Sequence, residues 1–515
     1  MEVFRDISSS TMSVMLVGAA TMLLVATILL ERHRIHLPPG PRALPIIGHF
    51  HLLIDKTRPL HQILSSLSQE YGPILHLKFG SRPVLVISSS ALAKECLTVN
   101  DKSFASRPSL AQGQYLGYNN YIMGWAPYGR YWRNARKICV LEILTPKRIQ
   151  DFGTKRRQEI YQAVNSLFQQ AQLQSIVNMR SVLARLTFNI LMTMIIDEKY
   201  FGEESGISVD LIIHLIEEFF VLNGVINIGD YIPWLKWFDL QGYEKAMKNV
   251  HKNLDLYMQR IVEKHREKGL KDEEEMDDFI DVLISQAEKN GEAILDKDAF
   301  IKSTAIIMFS AGSDTSSVTL EWALSLLLRH PHVMWKAQEE LDSKVGRRRL
   351  VEESDIPQLT YLQAIVKETL RLYPAAPLLL PHKSKEACTV GGYHIPAETI
   401  LMVNAWEIHR DPNVWNKPLD FKPERFMGKE REISNVQITE NDFDMIPFGA
   451  GRRGCPGTSL AMSMVQTTLA SLLQSFDWFV PDGRVLDMNE GVSLVMPRAV
   501  PLEVMLKPRL SHHLY

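Results

Sequence analysis

A short glycine-rich segment with one cysteine carries the strongest chemical signal in the sequence. It spans residues 447–457, Pro-Phe-Gly-Ala-Gly-Arg-Arg-Gly-Cys-Pro-Gly, and a helix-forming run follows at 458–476. Glycines allow the backbone to turn tightly and approach a flat ligand. A thiol at a helix start lies near free N–H groups and the positive end of the helix dipole, which stabilise a thiolate. Cys455 is therefore predicted to be an axial ligand of haem iron. For the cysteine alone, a buried structural role or a redox thiol are the alternatives.

A second candidate is a polar cluster inside an apolar helix. Residues 304–328 are mostly apolar but are interrupted by Ala-Gly-Ser-Asp-Thr-Ser at 311–316. Acid and hydroxyl groups in such a helix are costly unless each has a partner. Asp314 and Thr315 are suited to relaying protons through water, and Gly312 would leave space for a diatomic ligand. The alternative is a kinked core helix with a satisfied buried aspartate. The charges make a membrane span unfavourable.

Two further residue pairs stand on predicted helices. Glu368 and Arg371 are three apart on a helix that Pro374 ends, so they share one face. Trp132 and Arg136 are four apart on another helix, which brings a ring and a guanidinium together. Taken alone, the first pair is a surface ion pair worth little, and the second is local packing.

Together these motifs resemble those of the cytochrome P-450 family. The cysteine segment matches its Phe-x-x-Gly-x-Arg-x-Cys-x-Gly pattern at Phe448, Gly451, Arg453, Cys455 and Gly457. Residues 311–316 are similar to its oxygen-activation motif and residues 368–371 to its Glu-x-x-Arg motif, with Pro-Glu-Arg-Phe at 423–426 supplying a second arginine. The nearest likeness is the plant microsomal branch of specialised metabolism.

The resemblance implies a role for each matched residue. Cys455 would hold the iron of haem b (iron protoporphyrin IX), and the dioxygen and proton chemistry would use Gly312, Asp314 and Thr315. The other residues that contact the haem would be Trp132, Arg136, His382, Arg453, Phe448 and Gly449. A buried structural network would consist of Glu368, Arg371 and Arg425, and the loss of one partner would leave an uncompensated charge.

The resemblance also implies a haem-thiolate monooxygenase that uses dioxygen. Its electrons would come from a membrane-bound NADPH–cytochrome P-450 reductase, because the chain has neither a Gly-x-Gly-x-x-Gly unit nor room for a flavin domain. Arg133, Arg136, Lys137 and Arg452 would form its docking face, although a merely solvated basic face is equally consistent with the sequence.

The spacing of apolar residues along the chain indicates the fold class. Apolar residues recur with helical spacing at 160–173, 182–196, 246–266 and 278–288. Strands are predicted at 73–79 and 83–87, joined at Gly80, with shorter pieces near 389–395 and 400–403. We predict a mainly α protein with a minor β region. The resemblance makes it a helix-rich haem domain, residues 50–515, with a small N-terminal β lobe.

Charge and cysteine usage exclude other classes. The net charge is -2 and the basic runs are short, which argues against nucleic acid as a partner. Only four cysteines occur, without Cys-x-x-Cys spacing, so a disulfide framework and the usual zinc pattern are excluded.

The N-terminus predicts a membrane anchor. Residues 11–30 form an uncharged, mostly apolar run of 20 residues, long enough to cross a bilayer. The Lys/Arg excess follows it, which leaves the body in the cytosol. Residues 1–30 are thus predicted to be a single-pass anchor, in the endoplasmic reticulum membrane, and residues 31–49 a proline-rich hinge. A cleaved secretory signal is the alternative.

The substrate is expected to be small and hydrophobic. By resemblance, the pocket draws on residues 108–123, 219–225, 306–315, 376–381 and 491–500. Its segments 376–381 and 494–496 are apolar and offer no cation to a carboxylate. A terpenoid is the first expectation, a phenolic or an alkaloid the second. Two rival functions are a haem-thiolate isomerase or dehydratase, whose sites often lack the acid–hydroxyl pair, and a non-catalytic membrane-tethered haem or metabolite binder.

Overall fold

Helices dominate the computed structural model, which describes residues 36–53, 58–196, 209–267, 278–289, 294, 296–427 and 442–515. The α-helices are α1 Leu60–Tyr71, α2 Ser90–Lys94, α3 Asp101–Phe104, α4 Arg130–Ile138, α5 Pro146–Asp151, α6 Gly153–Gln172, α7 Met179–Ile195, α8 Val209–Gly224, α9 Tyr243–Glu267, α10 Phe279–Lys289, α11 Lys297–Arg329, α12 Pro331–Lys344, α13 Thr360–Leu372, α14 Ala405–Ile408 and α15 Thr458–Ser475. The strands are β1 Ile74–Phe79, β2 Arg82–Ile87, β3 Val177–Asn178, β4 His382–Lys383, β5 Cys388–Val390, β6 Tyr393–Ile395, β7 Ile400–Val403, β8 Phe476–Phe479 and β9 Glu503–Pro508. The mainly α prediction is confirmed, and α6, α7, α9 and α10 cover the four periodic segments.

The sheets correct one detail of the predicted architecture. The β1–β2 hairpin forms as expected, with Gly80 at a φ of +54° in its turn. However, the four-stranded sheet has the order β1-β2-β7-β4, so two of its strands come from the second half of the chain. β7 pairs with β2 in parallel, with Val84 opposite Ile400. The β lobe is therefore not purely N-terminal. Parallel pairing needs a long connection, which local sequence patterns do not reveal.

The long helix α11 runs through the core and is buried over most of its length. It begins at Lys297, seven residues before the predicted start, because the Asp296 carboxylate caps it by accepting the Ala299 N–H at 2.9 Å. The helix is continuous through the polar cluster at residues 311–316, as expected for a cluster inside one helix. The Thr315 hydroxyl donates to the Ala311 carbonyl at 2.6 Å, so it is satisfied within the helix.

The N-terminal anchor and the first part of the hinge lie outside the described residues. No helix within the described ranges is long and apolar enough to cross a membrane. The later part of the hinge packs on the sheet: the His76 N–H donates to the Pro39 carbonyl at 2.8 Å, and Gly48 bridges to Phe79. A Cβ on Gly40 would meet the His76 carbonyl oxygen at 2.4 Å, so this close approach requires glycine. Residues 36–49 are thus not a free spacer.

Candidate active site

The cysteine segment folds into a tight turn that leads into α15. Gly449 and Gly451 have φ of +68° and +66°, which favour glycine. A Cβ on Gly451 would meet the Leu97 carbonyl oxygen at 2.3 Å, so no other residue fits. The Cys455 N–H donates to the Phe448 carbonyl at 2.8 Å and closes the turn. α15 begins three residues later, at Thr458.

The Cys455 thiol is accessible, unlike Cys96 and Cys139, which are buried. Yet burial within the protein raises the pKa of Cys455, and hydrogen bonds from the Gly457 N–H and the Thr458 hydroxyl oppose this. A thiol that is both accessible and desolvated opens onto an internal cavity rather than onto the outer surface. The two hydrogen bonds at the helix start favour its thiolate form, the form that binds a metal.

The walls of this cavity are apolar. On α11, Ile307, Ala311 and Thr315 are spaced by four residues and form one accessible stripe on an otherwise buried helix. A Cβ on Gly124 would lie 3.8 Å from the Ile307 Cδ1 and 3.9 Å from the Leu380 Cδ1. A Cβ on Gly449 would lie 3.9 Å from Leu379. Residues 379–380 therefore lie between the cysteine turn and the segment at Gly124 that adjoins α11.

Two arginines near the cysteine turn, the buried Arg107 and the half-buried Arg453, have no acidic partner among the described residues. Arg453 donates to the carbonyls of residues 105, 123 and 126, and Arg107 to those of residues 124, 380 and 381. Burial lowers the pKa of Arg453 to about 8 and that of Arg107 to about 9. Among the described residues, neither arginine forms an ion pair with a carboxylate. Two largely desolvated cations that lack anions fit the two propionates of haem.

Three other residues predicted to contact haem join this cationic cluster. Arg453 lies over the Trp132 ring at 4.2 Å, and Arg136 lies over the same ring at 5.6 Å. The His382 Nδ1 lies 2.9 Å from the Phe104 carbonyl. Burial, with Arg107 and Arg453 nearby, lowers the pKa of His382 well below its usual value. Its imidazole is therefore neutral, and Nδ1 donates to Phe104.

Arg107 is the residue that sequence reasoning missed. It lies in the loop Phe-Ala-Ser-Arg-Pro at 104–108, where nothing in the spacing marks it. The one feature of the sequence that could have indicated its role is the presence of an arginine in a mainly apolar segment. Two of the carbonyls to which it donates, those of Leu380 and Pro381, lie more than 270 positions away in the sequence.

Gly312 lies where α11 packs against α7. A Cβ at this position would meet the Leu191 Cδ1 of α7 at 2.7 Å. On the side where a Cβ would project, the glycine thus allows α11 to pack closely against α7. The neighbouring Ser313 hydroxyl lies 3.2 Å from the Thr187 hydroxyl of α7, on the same interface.

Asp314 of α11 is partly accessible and lies near charged residues of other helices, Glu217 of α8 and Arg180 of α7. Burial and the nearby Glu217 carboxylate, opposed by the Arg180 guanidinium, raise the pKa of Asp314 to about 7. A carboxyl with this pKa can take up and release a proton near neutral pH.

Asp314→Asn is expected to stabilise the protein more at pH 8 than at pH 5. The native carboxyl keeps its proton up to about pH 7, whereas the unfolded one loses it near 3.8, so stability falls as the pH rises between these values. The difference in unfolding free energy should be on the order of 2 kcal/mol. Urea titrations at both pH values measure it, with the exposed Asp482→Asn as control. An equal effect at both pH values would show that Asp314 is not the titrating group.

The three residues of the predicted network meet in the structure. The Arg371 guanidinium donates to both Glu368 oxygens, at 2.7 and 2.8 Å, and the Arg425 Nε donates to Glu368 at 3.0 Å. Glu368 and Arg371 are fully buried. The network ties α13 to the segment that carries Arg425.

The sequence model described as "Cytochrome P450" matches residues 38–503. The chain belongs to the cytochrome P450 family. It is a haem-binding monooxygenase, and the accessible thiol and the unpaired cations described above fit that cofactor. Cytochrome P450 81Q32 of Catharanthus roseus is 43% identical over 94% of this chain and 94% of the relative.

Two other relatives have names that state a substrate. A xanthotoxin 5-hydroxylase of Arabidopsis thaliana is 43% identical over 93% of this P450 and 94% of the relative. A flavonoid 3'-monooxygenase of Crocosmia x crocosmiiflora is 42% identical over 93% of this P450 and 94% of the relative. A zebrafish cytochrome P450 structure with progesterone superposes with a TM-score of 0.72 at 28% identity, covering 88% of this chain and 100% of that one.

Proposed function

We propose that this P450 hydroxylates a small aromatic metabolite, with its haem iron held by Cys455. The observation that carries the proposal is the accessible Cys455 thiol in its glycine-rich turn, and the accessible Ala311 and Thr315 of α11 support it. Haem, when bound, supplies the redox chemistry that activates dioxygen. The residues that would hold its propionates are Arg107, Trp132, Arg136 and Arg453, and Phe448 and Gly449 would lie beside it in the cysteine turn.

The other residues of the site bind substrate and move protons. Ile307, Leu379 and Leu380 exclude water from the cavity and bind an apolar substrate. Asp314, with its pKa of about 7, takes up protons, and the Thr315 hydroxyl passes them into the cavity. This acid–hydroxyl pair supports a monooxygenase over a peroxide isomerase or dehydratase.

Two observations favour an aromatic substrate over the terpenoid expected first. Two of the relatives are named as hydroxylases of xanthotoxin and of a flavonoid, which are flat ring systems. Gly124 also brings its backbone close to Ile307 and Leu380, which would both lie within 4 Å of a Cβ at this position, and we propose that these residues form a narrow passage. A flat ring passes such a gap more readily than a branched terpenoid skeleton.

A spectral binding screen followed by product analysis tests the proposal. The purified holoenzyme is titrated with matched panels of flavonoids, furanocoumarins, terpenoids and alkaloids, and ligands that displace the iron's water are then incubated with NADPH and a reductase. We expect hydroxylated products from the aromatic panels. Turnover of terpenoids alone would overturn the substrate class, and NADPH-independent rearrangement or binding without any product would favour a rival function.

Thr315→Ala is expected to uncouple the reaction. Without this hydroxyl, protons reach the cavity only through disordered water. Reduced dioxygen then leaves as hydrogen peroxide, and the amount of product per NADPH falls by on the order of tenfold. The measurement is the ratio of product and of peroxide to NADPH consumed. Thr319→Ala is the matched control, because Thr319 is buried one turn further along and donates to the Thr315 carbonyl at 2.7 Å. Tight coupling in Thr315→Ala would remove this hydroxyl from the mechanism.

The electron donor we propose is a membrane-bound NADPH–cytochrome P450 reductase. The predicted basic docking face is smaller than expected: Arg133 and Lys137 of α4 are exposed. Arg136, however, lies in the haem-side cluster, and Arg452 is paired with Asp101 at 2.6 Å. We place the docking surface at the exposed face of α4.

We also propose that the protein lies on the endoplasmic reticulum membrane through an anchor at residues 1–30 and a hinge to residue 49, with the catalytic domain, residues 50–515, in the cytosol. An exposed apolar patch supports membrane contact, and it consists of Trp234, Trp237, Phe238 and Leu240. This patch follows Tyr231, whose carbonyl accepts the Ser81 N–H beside the β1–β2 turn, and exposed Ile46 lies near the same turn. Exposed aromatic side chains of this kind suit a membrane interface.

A further inference from the structure

His409 is a fully buried histidine with a single tautomer. The Ile446 backbone N–H donates to its Nε2 at 2.9 Å. A backbone amide can only donate, so Nε2 carries the lone pair and the ring proton lies on Nδ1. Nδ1 in turn donates to the Arg371 carbonyl at 3.2 Å. Burial, with Arg410 and Arg371 nearby, lowers the pKa of His409 to about 3, so the imidazole stays neutral.

One side of His409 is fixed to the buried charge network. The Arg371 guanidinium donates to the His409 carbonyl at 2.8 Å, so the two residues exchange hydrogen bonds in both directions. Arg371 is itself held by both oxygens of Glu368. His409 is therefore hydrogen-bonded to a residue that the buried network holds in place.

The other side of His409 leads to the cysteine turn. The Ile446 carbonyl accepts the Gly449 N–H at 3.0 Å, and the Phe448 carbonyl accepts the Cys455 N–H at 2.8 Å. The residue that His409 holds thus begins the turn that presents the thiol. The route runs from Arg371 through His409 and Ile446 to Cys455.

We propose that His409 is a positioning residue for the thiolate. Its Nε2 accepts the Ile446 N–H and so fixes the position and orientation of the turn that carries Cys455. The inference rests on the proposed function, in which Cys455 holds the haem iron. Loss of the Nε2 acceptor would leave a buried amide unsatisfied, and the turn would shift to find another partner.

A pair of amide variants in the holoenzyme tests this inference. In His409→Gln the side-chain oxygen can reach the Ile446 N–H, whereas in His409→Asn it is one methylene too short. We expect His409→Asn to lose much of the far-red-shifted Soret band of the reduced carbon-monoxide complex and to change its reduction potential. His409→Gln should retain both. Hydrogen exchange of the Ile446 amide should be on the order of tenfold faster in His409→Asn.

A control variant separates positioning from general destabilisation. His265→Phe removes another buried histidine, which lies 2.9 Å from Asp278 at the end of α9, far along the chain from the cysteine turn. It should lower the thermal midpoint and leave the spectrum unchanged. A His409→Asn enzyme with the wild-type spectrum and potential would overturn the inference. If the wild type itself lacks the shifted band, the proposed function fails instead.

Discussion

Cys455→Ala is expected to abolish hydroxylation completely. No other described side chain of the cysteine turn can serve as an anionic soft ligand, so haem retained by the arginine cluster would lack its thiolate. The purified variant should contain less haem, show no far-red-shifted Soret band in the reduced carbon-monoxide complex, and form no product with NADPH and reductase. The fold should survive, because the turn is held by backbone hydrogen bonds such as that from the Cys455 N–H to the Phe448 carbonyl.

A second cysteine supplies the control. Cys388 is half-buried on β5, and burial raises its pKa to about 11, so it remains a thiol. Cys388→Ser should retain haem, spectrum and turnover. Continued hydroxylation by Cys455→Ala, or loss of the shifted band in Cys388→Ser, would show that the ligand has been assigned to the wrong cysteine.

Glu368→Gln is expected to cost about 3–5 kcal/mol of folding free energy, because it leaves two buried or nearly buried arginines without their carboxylate. Arg371 is fully buried and Arg425 is 9% exposed. That cost is a large share of the stability of a typical domain. The expected result is a low yield of holoenzyme and a markedly lower denaturation midpoint, measured by urea titration of the haem-bound protein.

Glu424→Gln is the matched control for this prediction. Glu424 lies in the same segment as Arg425, but its ion pair with Lys336 is solvent-exposed. The side chain of Glu424 is 38% exposed and that of Lys336 is 47% exposed. A surface pair of this kind contributes less than about 1 kcal/mol. Equal destabilisation by the two variants would show that burial does not set the strength of the Glu368 network.

The helices and the residues of the site could be predicted for different reasons. Helical periodicity depends on near neighbours, so α6, α7, α9 and α10 follow from the sequence itself. The arrangement of the site depends on distant residues, yet Cys455, Glu368 and Arg425 were named because the motifs resemble those of a family. The structure then brings Glu368 and Arg425 together, although 57 residues separate them.

The missed or mistaken features share a physical cause. Arg107, the packing of Gly312 against Leu191, and the parallel pairing of β7 with β2 all depend on contacts between distant segments. In each case the local residue types were compatible with a different arrangement. The polar cluster in α11 is compatible with a continuous helix because the hydroxyl of Thr315 bonds back to the Ala311 carbonyl, which offsets its cost.

The reduced carbon-monoxide difference spectrum of the purified wild-type protein tests the central claim most directly. It reports the chemical identity of the iron's protein ligand, independently of substrate or reductase. The assignment of Cys455 as a thiolate ligand predicts a Soret band shifted far to the red, which disappears in Cys455→Ala. A wild-type spectrum with the unshifted band of a histidine-ligated haem would contradict the assignment.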